Sequence, residues 1–254
     1  MAGDPIVEQR RIEVGGAQVA YAVSGAGPPV VLVHGLGGSG RWWRRNVPAL
    51  ARSFQVYVVD LVGFGRSRNG GPFALATAEA TMLAWLDALR IERTAFIGHS
   101  LGGRIVAEVA AMAPERVSRL VLVSPAIFPD RRRLATSAVD LARSWRHTGP
   151  DFLPVMAFDT LRANPIAYLR AAHELLTTDA ESQLGRIVAP TLLVWGERDL
   201  VVPPVIGARL NRMLATAEFV VLPDTGHSLM WDRADAFNRL ALEFLLREAS
   251  DGEE

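Results

Sequence analysis

The run Phe96-Ile97-Gly98-His99-Ser100-Leu101-Gly102-Gly103 constrains this chain more than any other stretch. An apolar, β-prone segment (Ala95 to Ile97) leads into Gly-x-Ser-x-Gly, and a segment suited to a helix follows from Leu101 to Ala113. A serine held on so sharp a strand-to-helix turn needs small neighbours two positions on either side. Side chains at Gly98 and Gly102 would collide with the adjoining backbone. The turn lifts the Ser100 hydroxyl above a sheet edge and sets the Leu101 N–H at a helix start, where it can meet negative charge developing on a substrate oxygen.

The rest of the chain supplies the sheet that such a turn requires. Short β-branched runs occur at Gln18–Val23, Pro29–Val33, Gln55–Val59, Thr94–Ile97, Arg119–Val123, Thr191–Trp195 and Glu218–Leu222. Longer segments suited to helices lie between most of them, at Phe73–Arg90, Leu101–Ala113, Val205–Leu214 and Ala234–Glu248. Runs such as Val30-Val31-Leu32-Val33 and Leu120-Val121-Leu122-Val123 are apolar on both strand faces, the pattern of parallel strands covered by helices on both sides. The rhythm breaks once, from Pro125 to about Gly185, where helix-like pieces are interrupted by Pro129, Pro150, Pro154 and Pro165. An insertion of helices between two strands accounts for this, forming a lid over the C-terminal edge of the sheet.

Composition removes several classes of function. With 254 residues, half of them apolar, the chain can bury a large core. The 27 basic and 27 acidic residues balance, which argues against nucleic acid or an anionic membrane as partner. The basic cluster Arg131-Arg132-Arg133 reads as a solvated loop. No cysteine is present, so disulfides, thiolate metal sites and a cysteine nucleophile are excluded. Residues 1–11 lack the apolar core of a signal peptide, and no apolar run reaches the length of a membrane span. A cytoplasmic protein, monomer or homodimer, is the expectation.

A serine hydroxyl needs a base to take its proton. Of the five histidines, His227 follows the last β-prone run in Pro223-Asp224-Thr225-Gly226-His227-Ser228, on a loop at the same sheet edge as Ser100. His147 and His173 fall in the helical insertion, His99 is expected to turn away from the nucleophile, and His34 to brace a loop. The base in turn needs an acid. Asp199 leaves the strand Thr191–Trp195 in Gly196-Glu197-Arg198-Asp199 and is the candidate, with Glu197 as a weaker rival and Asp130 as an alternative. Asp224 is expected to hold its turn. The glycine-rich loop His34-Gly35-Leu36-Gly37-Gly38-Ser39-Gly40 lacks the ending of a P-loop and the spacing of a dinucleotide fingerprint. A second oxyanion donor at the Leu36 N–H, beside that of Leu101, is the better reading. Losing one such donor typically costs about 2.7–4 kcal/mol of transition-state stabilisation.

Four segments together resemble the α/β-hydrolase superfamily, in the branch of small single-domain esterases, lactonases and carbon–carbon bond hydrolases. They are His34 to Gly38, Asp60-Leu61-Val62-Gly63-Phe64-Gly65-Arg66-Ser67, Gly98 to Gly103, and Asp199 with Gly226-His227. The resemblance implies an α/β-hydrolase fold, a mostly parallel eight-stranded sheet flanked by helices with a small helical cap inserted after the sixth strand. Residues 1–124 and 186–254 would form the core domain and 125–185 the cap. It implies a structural role for Asp60, Arg66 and Ser67, with Phe64 as a possible pocket wall. It implies a serine hydrolase acting on a small, fairly apolar carboxylic ester through Ser100, His227 and Asp199, with no cofactor and no metal.

Trp42, Phe128, Met156 and Leu229 are candidate substrate contacts, and Trp43, Phe158, Trp195, Met230 and Trp231 further apolar walls, each equally suited to core packing. Carbon–carbon bond hydrolases of this kind often carry an aromatic directly after the histidine, where Ser228 stands here. Lactonase and cofactor-free perhydrolase chemistry share the same three residues. A receptor that turns over slowly or not at all can use the same fold.

Overall fold

A computed structural model of the chain describes residues 8–128, 143 and 145–247. Eight strands form one sheet: β1 (Glu8–Val14), β2 (Ala17–Ser24), β3 (Pro29–Val33), β4 (Gln55–Val59), β5 (Thr94–His99), β6 (Val117–Val123), β7 (Thr191–Gly196) and β8 (Ala217–Leu222). Their order is β1-β2-β4-β3-β5-β6-β7-β8, with β2 antiparallel to both neighbours and every other pairing parallel.

The strand sequences explain the layering. Alternate residues point to opposite faces, so Val31, Val33, Phe96, Leu120, Leu122 and Leu193 enter one core with the helices Leu75–Ala88 and Leu101–Met112. Val30, Leu32, Val58, Ile97, Val121 and Val194 enter a second core with the helix Ala234–Leu246. The continuous apolar runs are thus split between two helix layers.

The strand missing from the sequence reading is β1. Its residues are almost all exposed, and it pairs with β2 alone. Glu8, Arg10, Arg11 and Glu13 put charge along this sheet edge, which discourages further strand pairing.

Between β6 and β7 the described residues form no strand. They form a short 3₁₀ turn at Trp145–His147 and helices at Leu153–Arg162, Pro165–Thr177 and Glu181–Leu184. Arg104, buried on the helix that follows Ser100, ties this region down. Its guanidinium bonds Glu108 at 3.0 Å and donates to the Thr178 carbonyl and hydroxyl at 2.9 Å each. Arg131, Arg132, Arg133 and Asp130 lie outside the described residues.

Candidate active site

Ser100 occupies the turn between β5 and the helix Leu101–Met112 with φ 53° and ψ −114°, a backbone conformation disfavoured for any residue with a side chain. Three backbone bonds hold it there. Its N–H donates to the Val123 carbonyl at 3.0 Å, and its carbonyl accepts from Arg104 at 3.0 Å and Ala126 at 3.1 Å. The glycine requirement has a measurable cause. A Cβ on Gly98 would stand 2.5 Å from Val106 Cγ2 and 2.6 Å from the Gly102 carbonyl oxygen. One on Gly102 would stand 2.5 Å from the carbonyl oxygens of Val33 and His34.

The Leu101 N–H sits in the first turn of its helix, among the amides that have no intrahelical acceptor. Across from it, Gly35 packs against the serine, where an added Cβ would fall 3.2 Å from Ser100 Cβ. The Gly35 carbonyl accepts from His34 Nδ1 at 2.8 Å and from the Gly38 N–H at 3.1 Å. A trans peptide sets C=O and N–H on opposite sides, so pinning the Gly35 carbonyl fixes the opposed direction of the Leu36 N–H. His34 Nε2 accepts from the Leu61 N–H at 3.1 Å. Both ring nitrogens of His34 are thereby engaged, and burial lowers its pKa, so it braces the loop as a neutral ring.

The Asp199 side chain is buried and uses its two oxygens differently. Oδ1 accepts from the Val201 and Val202 N–H groups at 2.9 and 2.8 Å, and Oδ2 accepts from His227 Nδ1 at 2.8 Å. His227 is tied to the serine's own strand, because His99 Nε2 donates to the His227 carbonyl at 3.0 Å. The two imidazole rings lie 4.7 Å apart. His99 is buried, as its expected inward orientation requires, yet it contacts the candidate base, a role its sequence position did not suggest. Burial, reinforced by His227, holds its pKa well below the ordinary histidine value.

The neighbouring acids have other partners. Glu197 Oε2 accepts from the Asp224 N–H at 3.1 Å, and Asp224 pairs with Arg198 in a turn where its own φ is 55°. Asp60, buried, accepts from the Gly40 N–H at 2.6 Å and from the Arg66 backbone and side chain at 2.8 and 2.9 Å. The Ser67 hydroxyl accepts from the Ala20 N–H at 2.7 Å.

The apolar candidates divide by face. Trp42, Met156 and Leu229 pack in the second core, Trp42 against the rings of His99 and Phe152 at 5.8 and 5.2 Å. Phe64 is fully buried between His34 and Phe73, as core packing and not as a pocket wall. Phe128 packs on the first core, with the Arg209 guanidinium 4.1 Å over its ring. On that side the sequence reading missed Thr160 and Tyr168. A Cβ on Gly37 would meet each at 2.9 Å, so both stand against the loop that carries Leu36. Only their placement on adjacent helices reveals this.

A family model described as the alpha/beta hydrolase fold matches residues 28–182. The chain belongs to the α/β-hydrolase family. This α/β-hydrolase is 32% identical over 243 residues to a protein named carbamate hydrolase RutD from Pseudomonas savastanoi pv. phaseolicola, covering 86% of this chain and 93% of the relative. It is 31% identical over 259 residues to a 2-hydroxy-6-oxononadienedioate/2-hydroxy-6-oxononatrienedioate hydrolase from Cupriavidus pinatubonensis, covering 87% and 88%. Among solved structures it superimposes on the enol-lactonase from Burkholderia xenovorans LB400 with a TM-score of 0.83 at 26% identity, covering 94% of this chain and all of that one. The chain is therefore a hydrolase of this fold. No helix among the described residues is long and apolar enough to cross a membrane.

Proposed function

We propose that this α/β-hydrolase cleaves small, fairly apolar carboxylic esters, cyclic esters included, through an acyl-enzyme on Ser100. The reading rests above all on the bonded pair Asp199–His227, anchored by His99, the residue beside the strained serine. In it, Ser100 Oγ attacks the acyl carbon while His227 Nε2 takes the hydroxyl proton. Asp199 keeps the other imidazole proton on Nδ1 and offsets the positive charge that forms. The Leu36 and Leu101 N–H groups receive the oxyanion of the tetrahedral intermediate. Its collapse breaks the bond to the leaving alkoxide, which takes the proton from His227. Water, deprotonated by His227, then attacks the acyl carbon, and collapse breaks the bond to Ser100 Oγ as His227 returns the proton to it, releasing the acid and free Ser100.

A lactone opens by the same steps with the alcohol still tethered, and the likeness to an enol-lactonase supports including it. The presence of Ser228 after His227 weighs against carbon–carbon cleavage. Balanced charge supports a reading with neither nucleic acid nor an anionic membrane as partner.

The decisive experiment combines Ser100→Ala with a series of p-nitrophenyl esters of increasing acyl length and a set of simple lactones. Hydrolysis should vanish in the variant, and a serine-directed phosphonate should label Ser100 in the parent. Turnover retained without Ser100 defeats the mechanism. Labelling without repeated turnover indicates a receptor instead.

A further inference from the structure

A well-defined cavity among the described residues does not include Ser100 or His227 in its lining. It encloses about 660 Å³ over β2 and β4, beyond Ser39 and Gly40 at the end of the glycine-rich loop. That volume suits a small organic ligand. Its floor is apolar, from Ala22, Val23, Val56 and Val58, and Phe158 forms part of the opposite wall.

The walls carry five arginines (Arg41, Arg44, Arg66, Arg68 and Arg162) against two carboxylates, Asp60 and Asp159. Both carboxylates are already committed. Asp60 holds Arg66 and the Gly40 N–H, as described above. Asp159 is buried, accepts from the Ser39 hydroxyl at 2.7 Å and pairs with Arg41 at 3.3 Å. Arg44, Arg68 and Arg162 have no carboxylate partner among the described residues, which leaves an excess of three positive charges in a chain whose net charge is zero.

Two of these arginines lie over rings. The Arg44 guanidinium is 4.3 Å over Trp231 and that of Arg162 5.1 Å over Phe158. A ring face attracts the cation without taking a carboxylate's place, so N–H groups stay available to an oxyanion.

We infer that this cavity is a second binding site, separate from the Ser100 centre, for a small organic carboxylate with an apolar body. The carboxylate meets Arg44 and Arg162 at the mouth, and the apolar part lies on the valine floor. Such a ligand bridges the helix Leu153–Arg162 to the turn that continues the Leu36 loop, so occupancy clamps the cap region onto that loop.

Isothermal titration with octanoate, octanol and inorganic phosphate tests this on the full chain. Octanoate should bind, octanol should not, and phosphate should bind more weakly than octanoate. The double variant Arg44→Gln/Arg162→Gln should weaken octanoate by about tenfold or more, the loss expected for charge-assisted bonds. Arg68→Gln, which removes a wall charge that has no ion pair among the described residues, should weaken it independently should the double variant fold poorly. Octanoate affinity unchanged in these variants would place the ligand elsewhere, at the Ser100 centre for instance, and overturn the inference. Equal binding of octanol, stronger binding of phosphate, or no binding of octanoate at all would overturn it too.

Discussion

His99 Nε2 donates a hydrogen bond to the backbone carbonyl of His227 across 3.0 Å, joining the residue before the candidate nucleophile to the candidate base. The donor role fixes the tautomer. His99 Nδ1 is left unprotonated and without a hydrogen-bond partner, close to Gly35, where a Cβ would approach it to 2.9 Å. His99 is thus a positioning residue. Its ring couples the His227 loop to the serine strand and to the loop of Leu36. Replacing it with alanine should lower kcat by about 10- to 100-fold, the rate equivalent of a lost buried hydrogen bond of about 1–3 kcal/mol. KM should change little. His99→Gln, which can still donate, should recover part of kcat, whereas equal losses in both variants would mean that His99 acts by packing alone.

Asp199→Asn has an outcome set by two backbone amides. Val201 and Val202 both donate to Oδ1, so an asparagine must keep its carbonyl oxygen there and turn its NH₂ toward His227 Nδ1. That nitrogen must then accept, which moves the imidazole proton to Nε2, the position from which the base should receive one. The expected loss in kcat is on the order of 10⁴-fold, as wrong-tautomer variants of serine hydrolases show. The melting temperature should shift by only a few degrees. Steady-state kinetics with one p-nitrophenyl ester decides it, and a loss below tenfold would remove Asp199 from the mechanism.

Gly102→Ala should be severely destabilising although alanine favours helices. The new methyl group would sit 2.5 Å from two backbone oxygens, those of Val33 and His34, and neither can rotate away. A cost of about 3 kcal/mol or more is expected, or loss of soluble protein. Gly185→Ala is the control, because a Cβ there meets nothing within 4 Å. Chemical denaturation of the two variants side by side should separate them clearly, and similar midpoints would show that the Ser100 turn relaxes more readily than its contacts imply.

The sequence made Ser100, Asp199 and His227 legible for one reason. Each lies on the segment that leaves an apolar strand, β5, β7 or β8, and parallel strands deliver their C-terminal loops to one edge. β1 escaped because a charged edge strand has no apolar period. The signal available was Gly15-Gly16, both with positive φ, a two-residue hairpin turn that pairs Val14 with Ala17. Hydrophobicity also says nothing about which face of a sheet a residue serves. Trp42, Met156 and Leu229 are as apolar as any pocket wall, yet they pack into the second core. Tyr168 and Thr160 were invisible because their contact with Gly37 depends on how the helices between β6 and β7 lie, which no local pattern encodes.

Asp232 should make stability depend on pH in the direction opposite to a paired carboxylate. One of its oxygens accepts from the Gly149 N–H at 2.7 Å, while the other is buried without a partner. Burial, helped by the nearby Asp151 carboxylate, raises its pKa to about 6 against the opposing pull of the Gly149 N–H and Arg45. An unfolded aspartate titrates near about 3.9. Between these values the folded state binds more protons than the unfolded one, so this group's contribution to stability falls as pH rises from about 4 to about 6 and stays low above that. Asp232→Asn keeps a carbonyl for Gly149 and cannot ionise. Relative to the parent, the variant should gain stability across that window and end about 1–2 kcal/mol more stable at pH 8, less than the full shift because water partly screens the carboxylate. Urea denaturation at pH 4, 6 and 8 measures the difference. A difference that is constant across the three, or that favours the parent increasingly with pH, would show that the buried oxygen is satisfied when charged.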